Sequence, residues 1–216
     1  MATNPKHPAK FSAEILAEAE KCLVDHPHVL DPFAGVGLVH QLSNETVGVE
    51  LEPEWADAHP DTIVGDATNL PFARSSFDAV FTSPTYGNRL ADHHNAQDGS
   101  VRRSYRHDLG HELSPNNSGQ MQWGEEYRQL HRLAWREVRR VVQPGGRFIL
   151  NLKNHIRGGV EQPVVEWHLT SLIEMGWVLA HVIPLSAKGM RYGQNYQARL
   201  EYEFLLVFDQ PPTWSV

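Results

Sequence analysis

The chain has one cysteine, Cys22, in 216 residues. That scarcity excludes an internal disulfide and a thiolate zinc cluster, since each needs partner thiols. Long apolar runs are also missing. The longest, such as Phe204 to Phe208, are strand-sized and far short of the roughly 20 residues that span a bilayer. Met1 to Lys10 is polar, carries Lys and Pro, and lacks the apolar stretch of a secretory leader, so a cytoplasmic location and no membrane partner are expected. No repeat or low-complexity tract occurs. Positive charge is in deficit: 19 Lys and Arg stand against 26 Asp and Glu, a formal net charge of −7. Such a balance runs against a chain-wide surface for a polyanion. The cations are unevenly spread, however. Acids concentrate before Asp78, whereas Arg102, Arg103, Arg106, Arg128, Arg132, Arg136, Arg139 and Arg140 crowd the middle, where a local basic face is expected.

What is present suits a single α/β domain spanning residues 1–216, with 41% hydrophobic and 21% charged residues. Phe11 to Leu23 reads as an amphipathic helix capped by Ser12, and Cys22 shares its apolar face with Ile15, Leu16, Ala19 and Leu23, which makes it a core residue rather than a reactive thiol. Strands are predicted at 28–33, 45–50, 62–65, 77–82, 147–152, 177–185 and 200–208. A short helix follows Gly37, another starts at Pro53, and an optional one precedes the fourth strand. Glu125 to Val142 is the strongest helix, with Tyr127, Leu130, Leu133, Ala134, Val138 and Val141 on one face. Pro144-Gly145-Gly146 is read as its stop and the turn into the next strand. A last helix spans Pro163 to Met175. This alternation argues for a mostly parallel sheet covered on both faces, whose ligands bind beyond the carboxyl ends of the strands.

The motifs fall at those ends. Asp31-Pro32-Phe33-Ala34-Gly35-Val36-Gly37 closes the first strand with glycines that let the backbone approach a ligand. Glu50 ends the second strand, where a carboxylate suits the hydroxyls of a ribose. Asp66 and Ala67 end the third, where a carboxylate suits an adenine amino group. There is no GxGxxG, and Gly37 to Glu50 is too short a spacing for most dinucleotide-binding units. The fourth strand runs into Ser83-Pro84-Thr85-Tyr86-Gly87-Asn88-Arg89. A base amino nitrogen is a poor nucleophile because its lone pair is delocalised. The Ser83 side chain and the Pro84 carbonyl are acceptors able to hold its hydrogens, and Tyr86 is able to stack on the ring. Residues 83–124 show no clean period, as a functional loop would. Within it Asn88, Arg89, Arg102, Arg103, Arg106, Tyr105 and Trp123 are candidates for phosphates and bases; a lid with solvated charges is the alternative. Arg191, Tyr192, Asn195, Tyr196 and Arg199 either line the cleft or form a hairpin surface. Asp92, His93, His94, Asp98, His107 and His111 lack metal-ligand spacing, so no metal is expected.

DPFAGVG resembles the DPFxGxG cofactor motif of the DNA amino-methyltransferases, and His7-Pro8-Ala9-Lys10-Phe11 is similar to the HPxxKP-type segment that precedes it in that family. SPTY resembles the family's (D/N/S)PP(Y/F/W) motif, departing from it at Thr85, where a second proline is usual. The resemblance implies a class I fold of Rossmann type with seven strands, the last antiparallel. It implies S-adenosylmethionine as cofactor, with Lys10, Phe11 and Ser12 near its methionine end, Glu50 on the ribose and Asp66 on the adenine. It implies DNA as partner and, from Ser83, N4-cytosine over N6-adenine. Lys10 and Phe11 read equally well as an ordinary helix start with a hydrophobic staple. An RNA-base amino-methyltransferase and an inactive binding module remain alternatives. C5-cytosine chemistry needs a cysteine nucleophile that Cys22 does not supply, and the Asn of the glutamine-methylating NPPY motif is absent.

Overall fold

The central strands are apolar at nearly every position because successive side chains point into two different cores. In the computed structural model, which describes residues 11–88, 104–186 and 200–212, the strands are β1 (His28–Asp31), β2 (Glu45–Glu50), β3 (Thr62–Val64), β4 (Phe77–Thr82), β5 (Val142–Leu152), β6 (His155–Arg157), β7 (Val160–Gln162), β8 (Val178–Ser186) and β9 (Tyr202–Asp209). Leu30, Val80, Phe148, Leu150, Leu206 and Phe208 enter one core. Their neighbours Val29, Ala79, Phe81, Ile149, Leu205 and Val207 enter the other. The first core is closed by α4 (Glu125–Val141) and α5 (Val164–Glu174), and the second by α1 (Ala13–Cys22).

Seven strands form one sheet in the order β3-β2-β1-β4-β5-β9-β8. Pairings from β3 through β5 are parallel. β9 runs antiparallel to both of its neighbours, as expected for the last strand. A separate hairpin, β6 with β7, was not foreseen. From β1 the chain winds outward through β2 and β3, then returns to β4 on the other side of β1. That reversal leaves a crevice at the carboxyl ends of β1 and β4.

Most boundaries follow the sequence. Ser12 caps α1 by accepting from the Ile15 amide at 3.2 Å, and Pro53 opens the one-turn helix α2 (Pro53–Ala56). Three expectations are corrected. Pro144-Gly145-Gly146 does not precede the strand: β5 begins at Val142, and the three residues form an irregularity within it, between the Phe77↔Val142 and Ala79↔Arg147 pairs. Gly146 is required there, because a Cβ would lie 2.5 Å from the Asp78 carbonyl oxygen. The optional helix before β4 is replaced by turns. There Arg140 donates to the Leu70 and Phe72 carbonyls and Glu137 accepts from the Leu70 amide, so α4 supplies the backbone partners a helix would have supplied. On α4, Leu133 is 48% exposed while His131 and Trp135 are buried, because these polar rings hydrogen-bond inside the core. Among the described residues no helix is long and apolar enough to cross a membrane.

Candidate functional site

Two motif turns meet at the crevice. Asp31, at the end of β1, is 1% exposed, and its Oδ1 accepts from the Phe33 amide at 2.9 Å and the Thr82 hydroxyl at 2.6 Å. One oxygen thus shapes the DPF turn and ties it to the end of β4, where the SPTY segment begins. Gly35 and Gly37 have φ of 54° and 78°, a region most side chains avoid. The Gly35 amide donates to Glu50 Oε2 at 2.8 Å, and the other Glu50 oxygen accepts from the Glu52 amide at 2.9 Å. Burial lifts the pKa values of Asp31 and Glu50 to about 7 each, against the opposing pull of these hydrogen bonds.

A cleft of about 600 Å³, counting the open solvent at its mouth, lies between the turns. Pro32 and Phe33 form one wall with Glu50 and Leu51. Gly65, Asp66 and Ala67 form the floor at the end of β3, and Ser83, Pro84 and Thr85 close the far end. The remaining lining comes from Trp55, Tyr105, Asn116, Asn117, Ser118 and Leu130. Asp66 Oδ1 accepts from the amide and hydroxyl of Thr68, and its Oδ2 lies 3.4 Å from the Asn116 amide nitrogen, so Asn116 reaches across to the acid expected to meet an adenine.

Glu52 is a residue that sequence reasoning missed. At 1% exposure it accepts from the Ser114 amide and hydroxyl and from the Asn117 side chain, at 2.8–3.0 Å, and so holds the 114–117 segment against the cleft. The only signal in the sequence was the turn-forming run Pro115-Asn116-Asn117-Ser118-Gly119.

The SPTY segment is held from behind. Trp135 Nε1 donates to His168 Nδ1 at 3.0 Å, so the imidazole carries its proton on Nε2 and donates to Tyr127 Oη at 3.1 Å. Tyr127 then donates to the Thr85 carbonyl at 2.7 Å. Burial holds the His168 pKa well below its ordinary value and that of Tyr127 well above, so both stay neutral. Thr85, the departure from the proline pattern, donates through its hydroxyl to Ser118 Oγ at 2.8 Å. The threonine therefore replaces ring stiffness with a cross-link to the cleft's opposite side. Ser83 Oγ and Tyr86 Oη are 2.9 Å apart. The Tyr86 ring packs on the first core and is not among the cleft-lining residues.

Other expected residues are placed as follows. Phe11 stacks on Phe81 at 4.6 Å in the second core and Ser12 caps α1, which is the helix-start reading; neither lines the cleft. Asp31, Ala34, Gly35 and Gly37 shape the turn without lining it. Tyr105, which opens the short helix α3 (Tyr105–Leu109), is buried edge-on against Trp55 within the cleft wall. Asn88 bridges to Gln122, next to the Trp123 amide that donates to the Gly87 carbonyl, and does not line the cleft. Lys10, Arg89, Arg102, Arg103, Asp92, His93, His94, Asp98 and the 191–199 candidates lie outside the described residues.

The expected basic face is weaker than the count suggests. Arg128 and Arg132 pair with Glu125, Arg106 with Glu112, and Arg139 and Arg140 bind backbone carbonyls. His40, His59 and Asp61 bring possible metal-ligand atoms within 4.8 Å of one another. Both ring nitrogens of His40 already meet threonine hydroxyls, at 2.7 and 2.8 Å, and its ring stacks on His59, so the group reads as packing.

No protein-family model matches the chain, and no curated protein does. Solved structures do. A putative methyltransferase from Haloferax volcanii, in complex with the Trm112 methyltransferase activator, is 14% identical with a TM-score of 0.54, covering 89% of this chain and 88% of that one. An S-adenosylmethionine-dependent methyltransferase from Mesorhizobium loti is 14% identical at a TM-score of 0.52, covering 92% and 98%. The [4+2]-cyclase SpnF is 14% identical at 0.54, covering 90% and 81%. Identity this low speaks to the fold, and the presence of a cyclase among the neighbours shows that the fold does not fix the reaction.

Proposed function

We propose that this chain, which has the fold of class I S-adenosylmethionine-dependent methyltransferases, methylates the exocyclic amino group of a nucleic-acid base, in DNA rather than RNA and on cytosine N4 rather than adenine N6. The observation that carries this reading is the 2.6 Å hydrogen bond from Thr82 to Asp31. It fixes the cofactor-type turn and the SPTY segment to each other as two ends of one cleft.

The residues present fit the cofactor. Glu50 retains lone pairs for ribose hydroxyls beyond its two amide bonds, Asp66 offers a carboxylate for the adenine amino group, and Ala67 leaves room beside it. When bound, S-adenosylmethionine supplies a methyl group on an electrophilic sulfonium. The protein's part is placement. Pro84 and Ser83 offer acceptors to the two hydrogens of the target amino group, which favours a pyramidal nitrogen with an available lone pair. The relay through Tyr127 and the Thr85–Ser118 bond keep this end of the cleft in position. Stacking of Tyr86 on the base would require its ring to leave its present packing. The geometry favours Tyr86 as the support of Ser83 instead. The choice of cytosine and of DNA is supported by the serine form of the motif and by the resemblance.

Incubation with methyl-labelled cofactor and DNA, RNA or free nucleosides, followed by hydrolysis and identification of the methylated base, tests the reading. Label confined to RNA or to protein contradicts the DNA assignment, and cofactor binding without transfer to any of them favours the binding-module alternative. Tyr86→Ala is expected to spare cofactor binding and to remove transfer.

A further inference from the structure

A carboxylate stands behind Ser83 with no part in the reading above. Asn151, 2% exposed near the end of β5, places its amide nitrogen 3.3 Å from Ser83 Oγ, 3.3 Å from Tyr86 Oη and 3.4 Å from Glu203 Oε2. Its own Oδ1 is buried with no hydrogen-bond partner among the described residues. Turning the amide over would set Oδ1 against the carboxylate, so Glu203 holds the orientation at the expense of that orphaned oxygen. β9 lies beside β5 and runs against it, so Glu203, near its start, sits at the same sheet edge as the ends of β4 and β5. Ser83 lines the cleft. One amide therefore separates the cleft wall from a negative charge.

We propose that Glu203, acting through Asn151 as a positioning residue, puts negative potential at the transfer end of the cleft and so selects a neutral nitrogen as the methyl acceptor. The proposal rests on the methyl-transfer reading. The target nitrogen uses its lone pair to bond the methyl carbon while the carbon–sulfur bond breaks and its electron pair stays on sulfur. Positive charge thus passes to the nitrogen, which afterwards releases a proton to water. Negative potential near the nitrogen stabilises that arriving charge. The same potential repels a carboxylate or phenolate acceptor, which enters as an anion and develops no positive charge. Glu203 also opposes ionisation of Tyr86, whose pKa is raised mainly by burial, and so keeps the phenol neutral beside Ser83.

Binding alone tests this, without knowledge of the substrate. Sinefungin carries an amino group, cationic at neutral pH, where the transferable methyl would stand; S-adenosylhomocysteine carries nothing there. Titration calorimetry is expected to show that Glu203→Gln weakens sinefungin about fivefold, as a screened charge at this range would, while S-adenosylhomocysteine stays within twofold. Glu203→Asp is expected to restore most of the difference. If Glu203→Gln does not fold, Glu203→Ala is measured against the same pair. An unchanged ratio of the two affinities overturns the proposal, as does transfer of label from methyl-labelled cofactor to a carboxylate or phenolate oxygen. Failure of the wild-type protein to bind either ligand instead overturns the methyl-transfer reading itself, which distinguishes the two failures.

Discussion

Asp31 uses one oxygen to fix two elements, and burial lifts its pKa to about 7 while it does so. Its folded pKa lies above the value of an unfolded chain, so between about pH 4 and 7 the folded state binds more protons than the unfolded one, and stability from this group falls as pH rises through that window. Asparagine keeps Oδ1 as the acceptor of both bonds and removes the charge. Asp31→Asn is therefore expected to melt a few degrees above wild type at pH 8, on the order of 1–2 kcal/mol, with the gap closing toward pH 4. A melt below wild type at pH 8 in calorimetric scans would show that the charged form is what the fold needs. Asp31→Ala is a different change. It strands the Phe33 amide and the Thr82 hydroxyl, costs roughly 1–3 kcal/mol and uncouples the two turns, so loss of S-adenosylhomocysteine binding should accompany the lower melt.

Helix α4 is where reading from sequence and folding in space diverge most instructively. Its apolar period was plain, yet the period counts His131 as polar and Leu133 as core, and the structure reverses both. The His131 ring bonds the Tyr127 carbonyl one turn back, a pairing that hydrophobic periodicity does not register, and Trp135 bonds His168, 33 residues away and outside any local window. The two motif turns are legible because each is contiguous and sits at the end of a short, nearly continuous apolar run that reads as a buried strand. Glu52 was not, since its partners Ser114 and Asn117 lie 62 and 65 residues away. The Pro144-Gly145-Gly146 irregularity looked like a helix stop because proline and glycine mark both. Tyr127→Phe tests the element. It deletes the donor to the Thr85 carbonyl and strands His168 Nε2, so a loss of about 1–3 kcal/mol in stability is expected. If the relay positions the SPTY segment, S-adenosylhomocysteine affinity should hold while transfer falls. Equal loss of both would assign Tyr127 to general packing.

At the scale of the whole molecule, two sets of buried groups pull stability in opposite directions with pH. Burial holds His131 at about 4 and His168 well below its ordinary value, so between about pH 4 and 6.5 the unfolded chain binds more protons on these groups and stability is lost as pH falls. Asp31 and Glu50, raised to about 7, have the opposite slope over nearly the same window. The two largely offset each other below pH 6.5, and above it only the acid limb remains, so these groups give ligand-free stability a plateau that falls away above about pH 6.5. Ligand binding should break that balance. If ribose hydroxyls donate to Glu50, as proposed, they favour its charged form and lower its pKa, so binding near neutrality should release a proton and affinity should rise with pH through about 7. Calorimetric titration of S-adenosylhomocysteine at pH 6.5, repeated in buffers of different ionisation enthalpy, should therefore register release of up to about one proton per site. Glu50→Gln should abolish it. Proton uptake, or no exchange at all in the wild-type protein, would mean that Glu50 shapes the glycine turn without receiving the ribose, and the cofactor half of the cleft would have to be reassigned to Asp66 and the 114–118 segment.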